Sequence, residues 1–484
     1  MNQYHCMMLI ALLGFLAVAG FLWRSSCIYG LGYPLDDAWI HQTYARNLVQ
    51  YGEWSFIPGT PSAGSTAPLW TTMIAFGLAL GLDPAYWTYG IGLTLLVLLG
   101  WLCFRWFTSR SIAVPPWGCL LASLVVLEWH LVWAAVSGME TLAFSALCVA
   151  VLWLMEKESW KPISIGILIG IGVWLRPGAI TLILPLGIIM ITRRKSMRWE
   201  SILAVAFGMA VTIGPYLVFN YLLTDRLWPN TFYAKQSEYA ILRQTSLITR
   251  FGKQLVQPLV GVGSILIPGV FLIAVRNVRE RDWMRLAPIV WVFAYLGMYA
   301  ERMPVTYQHG RYAIPVIPVL LVVGMGGVAR WAQLNSPITL RRFVSRFWIL
   351  SSLAILTAFL FIGATAYGED VAIIETEMVA AAKWIAGNTE SSALVAAHDI
   401  GALGYFGERD LVDLAGLVSP EVIPFIRDED ALTDYLDQRA ADYLLTFPGW
   451  YPRLVQEAVP IYVTEGEFSP AAGGENMVLY QWGR

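Results

Sequence analysis

The feature that most limits the fold is the recurrence of long apolar segments. They run over residues 6–23, 67–82, 87–104, 117–134, 140–156, 162–175, 178–192, 200–222, 258–275, 286–300, 313–329 and 347–367. A helix needs a stretch of roughly 20 apolar residues to cross a bilayer, and a chain that repeats such stretches folds as a polytopic α-helical membrane protein. Composition agrees, with 57% hydrophobic and 14% charged residues. Tryptophans near segment ends, among them Trp23, Trp70, Trp117 and Trp348, fit an interfacial belt. The first segment has the length of a signal peptide. No small-residue cleavage site follows it and many spans do, so it reads as an uncleaved first span.

Basic loops set the expected orientation. The stretches 193–198 (RRKSMR), 276–285 (RNVRERDWMR) and 330–346, with Arg330, Arg341, Arg342 and Arg346, belong in the cytoplasm. If 67–82 and 87–104 both crossed, Arg105 and Arg110 would fall outside and the later parity would fail. A single crossing there, with 67–82 a short or re-entrant helix, gives about 11 crossings of the inner (plasma) membrane. The N-terminus is then cytoplasmic and the C-terminus outside.

Charge divides the chain again. Residues 1–367 carry 26 Lys/Arg against 14 Asp/Glu, whereas residues 368–484 carry 6 against 20. A basic multi-span domain therefore leads into an acidic tail, a balance that argues against nucleic acid as a partner. In the tail, a helical pattern from Val371 to Ala386 precedes a strand at 393–398, the Gly-punctuated stretch DIGALGYFGERDLVDLAGL, a helix at 430–440 and a strand at 443–447. That alternation predicts a small extracytoplasmic α/β domain. The cysteines Cys6, Cys27, Cys103, Cys119 and Cys148 show neither a disulfide framework nor a CxxC metal motif.

Polar groups beside membrane spans are expensive and mark function by default. They gather in five places on the expected outer side. The first is the loop 30–66, where Asp36 and Asp37 open an amphipathic helix from Ala38 to about Gln50. Ile40, Tyr44, Leu48 and Tyr51 form its apolar stripe, which suits a juxtamembrane helix lying on the bilayer surface. One Asp suffices for an N-cap; the second asks for another reason. The remaining places are Glu140 in Ser137-Gly-Met-Glu-Thr141, Arg176 in Arg-Pro-Gly, Tyr233 and Lys235 in Trp228-Pro-Asn-Thr-Phe-Tyr-Ala-Lys235, and His309 and Arg311 in His-Gly-Arg-Tyr312. Each has a plainer use: a helix-start acid, a snorkelling Arg, a solvated Lys, or interfacial anchoring by Arg and Tyr. Their gathering on one face makes the case for a site.

The run DDAWIHQTYARNL…YGEWSFIPGTPSAGSTAPLW resembles the first outer loop of C-superfamily (GT-C) glycosyltransferases, closest to the mycobacterial terminal arabinofuranosyltransferase-like branch. The resemblance extends more weakly over most of the chain. It implies a membrane glycosyltransferase that moves a monosaccharide from a polyprenyl-phosphate donor to a cell-envelope glycan, glycolipid or glycoprotein. It further implies that Asp36 or Asp37 is the catalytic base, that Arg311, Lys235 and Arg176 meet phosphate, and that Glu140, Tyr233 and His309 lie on the substrate. Enzymes of this type with a single carrier phosphate generally work without a divalent metal. No cofactor is expected, although adjacent acids are compatible with a metal ion. The Trp-Trp-Asp segment of oligosaccharyltransferases is absent, and the Asp-Glu pair of protein O-mannosyltransferases is Asp-Asp in this chain.

The chemistry suits such groups. A sugar phosphate already carries a good leaving group, so the demand is a base for the acceptor hydroxyl and cations for the departing phosphate. Direct attack opposite the phosphate inverts the anomeric centre. A membrane transporter or lipid-linked-sugar flippase is the competing reading; polar residues on one side rather than at mid-span, and a soluble outer domain, count against it. A scaffold presenting the tail to a partner is the third.

Overall fold

The computed structural model describes residues 3–110, 115–193, 199–332, 337–456 and 458–483. Of the basic loops, 194–198 and 333–336 lie outside the described residues. Among the described residues, seven helices are long and apolar enough to cross a membrane: Gln3–Ile28, Pro84–Ser109, Trp199–Thr224, Val262–Arg279, Trp283–Arg302, Tyr307–Trp331 and Thr339–Asn388. An eighth crossing is supplied if Trp117–Leu127 and Trp129–Val136, bent by 51° at Glu128, form one broken span. The count of 11 from sequence exceeds this because Thr141–Glu156, Pro162–Leu175 and Pro177–Thr192 are shorter apolar helices. Pro68–Ala79 is shorter again at 12 residues, about 18 Å at 1.5 Å per residue, well under the bilayer core. It is the short helix that the charge parity asked for.

Lipid-facing surface shows on helix Trp199–Thr224, where Leu203, Phe207, Val211, Val218 and Leu222 are exposed along one stripe. A contiguous apolar surface of this kind marks membrane contact. Cys6 and Cys119 form a disulfide between the first helix and helix Pro115–Leu127, their Cα atoms 5.8 Å apart. Nothing in their sequence spacing indicated that pairing.

The helical pattern 371–386 is not a separate tail helix. It continues the last span without a break, so that one helix runs from Thr339 to Asn388, through a wider turn at Glu375–Val379. Its length, about 75 Å, carries it out of the membrane body and into the tail.

The loop after the first helix holds a short hairpin, β1 (Ser55–Ile57) with β2 (Thr60–Pro61). The tail then builds a five-stranded mixed sheet from β3 (Leu394–Ala397), β4 (Asp410–Asp413), β5 (Tyr443–Thr446), β6 (Val459–Val463) and β7 (Val478–Gln481), in the order β4-β3-β5-β7-β6. β3 pairs parallel with β4 and β5, whereas β7 pairs antiparallel with β5 and β6. β3, β5 and helix Glu429–Gln438 are the elements read from sequence. β4 falls inside the Gly-punctuated stretch. β4 is Asp-Leu-Val-Asp, two apolar residues between two acids, a pattern that does not announce a strand.

Helix Asp36–Tyr51 does not lie on a bilayer surface. Ala38 through Ala45 are all buried, polar His41, Gln42 and Thr43 included. The helix is held between Pro68–Ala79 on one side and the Leu403–Gly407 turn of the tail on the other. Trp39 packs against Tyr405 (tilted, 4.9 Å between centroids) and Phe406 (edge-on, 4.7 Å) of that turn. Protein covers Ile40 and Tyr44 of its apolar stripe, whose last member, Tyr51, is exposed.

Candidate active site

Asp36 and Asp37 point to different partners. Neither caps its own helix, whose N-cap is Leu35. The Asp36 carboxylate instead accepts the backbone N–H groups of Gly401 (2.6 Å) and Ala402 (2.8 Å), at the start of a helical turn in the tail. It thus caps a helix of the other domain. Gly401 is required there, since a Cβ would stand 2.0 Å from the Asp36 carbonyl oxygen. Burial first, then repulsion from Asp399, raises the Asp36 carboxyl to about 8, against the two N–H bonds that lower it.

Asp37 faces cations. Its Oδ2 accepts from Arg311 Nη2 at 2.5 Å and lies 3.5 Å from Lys235 Nζ. The Tyr312 hydroxyl stands 3.0 Å from Arg311 Nη2 and 3.4 Å from Lys235 Nζ. Burial alone would raise the Asp37 carboxyl, but Lys235 and Arg311 together hold it well below the usual carboxylate range. Its side chain remains 26% exposed, open to the cavities beside it.

Local sequence explains how the cations arrive. Gln308, His309 and Gly310 are all left-handed (φ 54°, 55° and 61°), a conformation costing roughly 1–2 kcal/mol for each non-glycine residue. The turn is held by His309 Nε2 on Asp370 Oδ2 at 2.7 Å, and Arg311 follows at once. Strain at such a place belongs to functional sites. Lys235 comes from helix Asn230–Glu238, whose first N–H is anchored to the Ala63 carbonyl at 3.1 Å. Arg176 precedes Pro177, which forces it into extended backbone (φ −161°) and ends helix Pro162–Leu175. Its Nη2 and Nε donate to Glu140 Oε1 at 2.6 and 2.9 Å. Gly138 (φ +76°) makes the turn before Glu140; a Cβ there would meet Ala38 and Tyr33 at 2.8 Å.

Two cavities meet at this cluster, and Asp37, Ile40, Lys235, Arg311 and Leu417 line both. The smaller, about 510 Å³, lies within the membrane body and is lined by His41, Glu140, Arg176, Trp228, Phe232 and Tyr312 among others. Arg311 Nε and Nη1 and Arg176 Nη1 are buried with no hydrogen-bond partner among the described residues. The larger, about 900 Å³, separates the body from the tail sheet and is lined by Asp36, Glu238, His398, Asp399, Trp450 and Tyr451 among others.

The structure thus brings Asp36, Asp37, Glu140, Arg176, Lys235 and Arg311 to the two cavities. Two of the expected residues lie elsewhere. Tyr233 takes Arg226 over its ring at 5.1 Å and lines neither cavity. His309 also lines neither; it sits between Trp129 and Trp133 on Asp370, a positioning residue for the turn that carries Arg311. Sequence reading missed Glu238, which lies one helical turn after Lys235. It missed His398 and Asp399 too, although a polar pair at the end of an expected strand was there to be weighed. Among the described residues, no three His, Cys, Asp or Glu side chains form a metal-ligand set.

These features define a polytopic helical membrane protein of GT-C-like fold with a small mixed α/β domain at its C-terminal end. The fold is similar to that of ArnT from Cupriavidus metallidurans bound to undecaprenyl phosphate: TM-score 0.61, 14% identity, covering 98% of this chain and 97% of that one. It is similar also to the oligosaccharyltransferase of Archaeoglobus fulgidus in its apo form (TM-score 0.63, 10% identity, 92% of this chain and 69% of that one). The same archaeal protein, AglB, in complex with an inhibitory peptide and a dolichol-phosphate, gives TM-score 0.62 at 11% identity, with the same coverage of 92% and 69%. At such identities the likeness defines the fold alone. A family model described as a domain of unknown function (DUF8728) matches residues 369–480. No curated protein matches this chain in sequence.

Proposed function

We propose that this chain is an inverting membrane glycosyltransferase that takes a monosaccharide from a polyprenyl phosphate and passes it to a cell-envelope acceptor on the outer face of the membrane. The observation that carries this reading is Asp37 on the wall shared by both cavities, its Oδ2 held by Arg311 at 2.5 Å beside Lys235. The smaller cavity takes the donor, with its phosphate on Arg311 and Lys235 and its sugar toward Glu140 and His41. The larger takes the acceptor.

Asp37 is the base and Asp36 is not, since both Asp36 oxygens are committed to the tail. The acceptor oxygen attacks the anomeric carbon, the bond from that carbon to the phosphate oxygen breaks, and the acceptor proton passes to Asp37. The phosphate leaves as an anion paired with Arg311 and Lys235. An Asp so strongly paired is a poor base at rest. Arrival of the donor phosphate draws both cations toward itself and returns basicity to Asp37 when it is needed.

The test is transfer by the purified full chain in detergent, offered a panel of polyprenyl-phosphate monosaccharides and envelope glycans. Asp37→Asn should lower turnover by about 10²–10⁴-fold and keep donor binding. Loss of donor binding in that variant, or retained turnover, would remove Asp37 as base. Wild-type protein that binds no donor would favour transport or scaffolding.

A further inference from the structure

The parallel half of the tail sheet ends its strands at Ala397, Asp413 and Thr446. Residues just beyond each strand line the 900 Å³ cavity: His398 and Asp399 after β3, Leu417 after β4, Trp450 and Tyr451 after β5. The crevice beyond the carboxyl ends of parallel strands is where open α/β sheets bind ligands. In this chain that crevice opens toward Asp37, because Gly401 packs directly against Asp36 and brings the 398–402 segment to the start of helix Asp36–Tyr51.

The charges on this wall are already matched. His398 Nε2 is 3.3 Å from Glu238 Oε1, its Nδ1 is 2.7 Å from the Tyr451 hydroxyl, and Arg427 reaches the same glutamate at 4.0 Å. A ligand therefore need bring no charge of its own. Asp399 is the exception, its carboxylate without a hydrogen-bond or ion-pair partner among the described residues. An ionised carboxylate can only accept, so what it asks for is a hydroxyl or N–H donor. Beside it Trp450 is 46% exposed, with its ring 5.0 Å from that of His398. An aromatic face next to unused acceptors suits a molecule with one apolar face and a rim of hydroxyls.

We propose that the tail domain is the acceptor-binding half of the site and takes a neutral glycan, one sugar ring stacking on Trp450 and donating hydroxyls to Asp399. The inference rests on the transferase reading above and narrows its acceptor to a carbohydrate. Asp399 and Trp450 hold the acceptor; Asp37 keeps the proton transfer.

The experiment is isothermal titration of the full chain in detergent with neutral hexasaccharides of mannose, glucose and arabinose, with an uncharged hexapeptide, and separately with undecaprenyl phosphate. At least one hexasaccharide should bind, and Trp450→Ala and Asp399→Asn should each weaken it by about tenfold or more. Both variants should bind undecaprenyl phosphate as wild type does. Hexasaccharide binding unchanged in both variants overturns the proposal, as does binding of the peptide alone or of no hexasaccharide. If undecaprenyl phosphate also fails to bind wild-type protein, the donor reading falls as well. If it binds while the sugars do not, only the subsite falls.

Discussion

The 510 Å³ cavity is walled mainly by the body, from helix Asp36–Tyr51, the turns around Glu140 and Arg176, helix Asn230–Glu238 and the end of helix Trp283–Arg302, and cationic nitrogens of Arg311 and Arg176 there have no hydrogen-bond partner among the described residues. The 900 Å³ cavity lies between the tail, which contributes His398, Asp399, Trp450 and Tyr451, and the body, which contributes Asp36, Asp37, Lys235 and Glu238, and its charges are mostly paired with one another. Asp37 belongs to both. In low dielectric an unmatched cation calls for an anion, whereas a matched wall selects by hydroxyl and apolar contacts. One residue at the junction can then serve two chemically unlike ligands. The two walls also differ in how they are secured, by buried ion pairs on the body side and by helix capping on the tail side.

The largest effect should come from separating the two aspartates. Asp37→Asn should lower turnover by about 10²–10⁴-fold, the usual worth of a general base, with Asp36→Asn costing far less. Equal losses in steady-state transfer would break the distinction between base and cap. On the body side, Arg176→Ala takes the close cation from buried Glu140 and leaves it only His41 at 3.9 Å, at a cost of about 3–5 kcal/mol in thermal unfolding. Combining it with Glu140→Ala should recover part of that loss. A double variant no better than the single would deny the coupling.

On the tail side Asp36→Ala should cost about 1 kcal/mol, as lost caps do, read as faster hydrogen exchange over 400–407 with the membrane helices unchanged. Its pH dependence is distinctive. The Asp36 carboxyl titrates at about 8 when docked, against 3.8 for the free group, so the folded state holds the extra proton between those values. Stability from this group is full below about 3.8 and is lost as pH rises toward about 8. The thermal midpoint of wild type should fall across that window, and Asp36→Asn should flatten the slope. An effect of similar size is expected for Arg46→Ala, which removes bonds to the carbonyls of Tyr405 (2.7 Å) and Gly404 (3.1 Å). It should loosen the same turn by about 1 kcal/mol. A change in donor affinity there would mean that the two walls are not separable.

Sequence alone carried the multi-span architecture, because apolar length is a local property that membranes read directly. It also singled out Asp37, Lys235, Arg311, Glu140 and Arg176, since a polar group among apolar residues stands out wherever it sits. Roles were harder to read. Asp36 and Asp37 are neighbours of one residue type, and only the approach of Gly401, 365 positions away, makes one a cap and leaves the other to the cations. His309 carried the same signal as Arg311, yet its partner Asp370 lies 61 residues on, and that contact turns it from the cavities to the turn. The helix read as lying on lipid proved to be clasped by the tail, because an apolar stripe records that something covers it and not what. The sequence by itself determined the membrane body, the acidic tail and the charged groups on offer. Which of those groups face one another, and that the tail supplies a wall of the site, only the tertiary structure decided, because those contacts join residues that periodicity and spacing cannot relate.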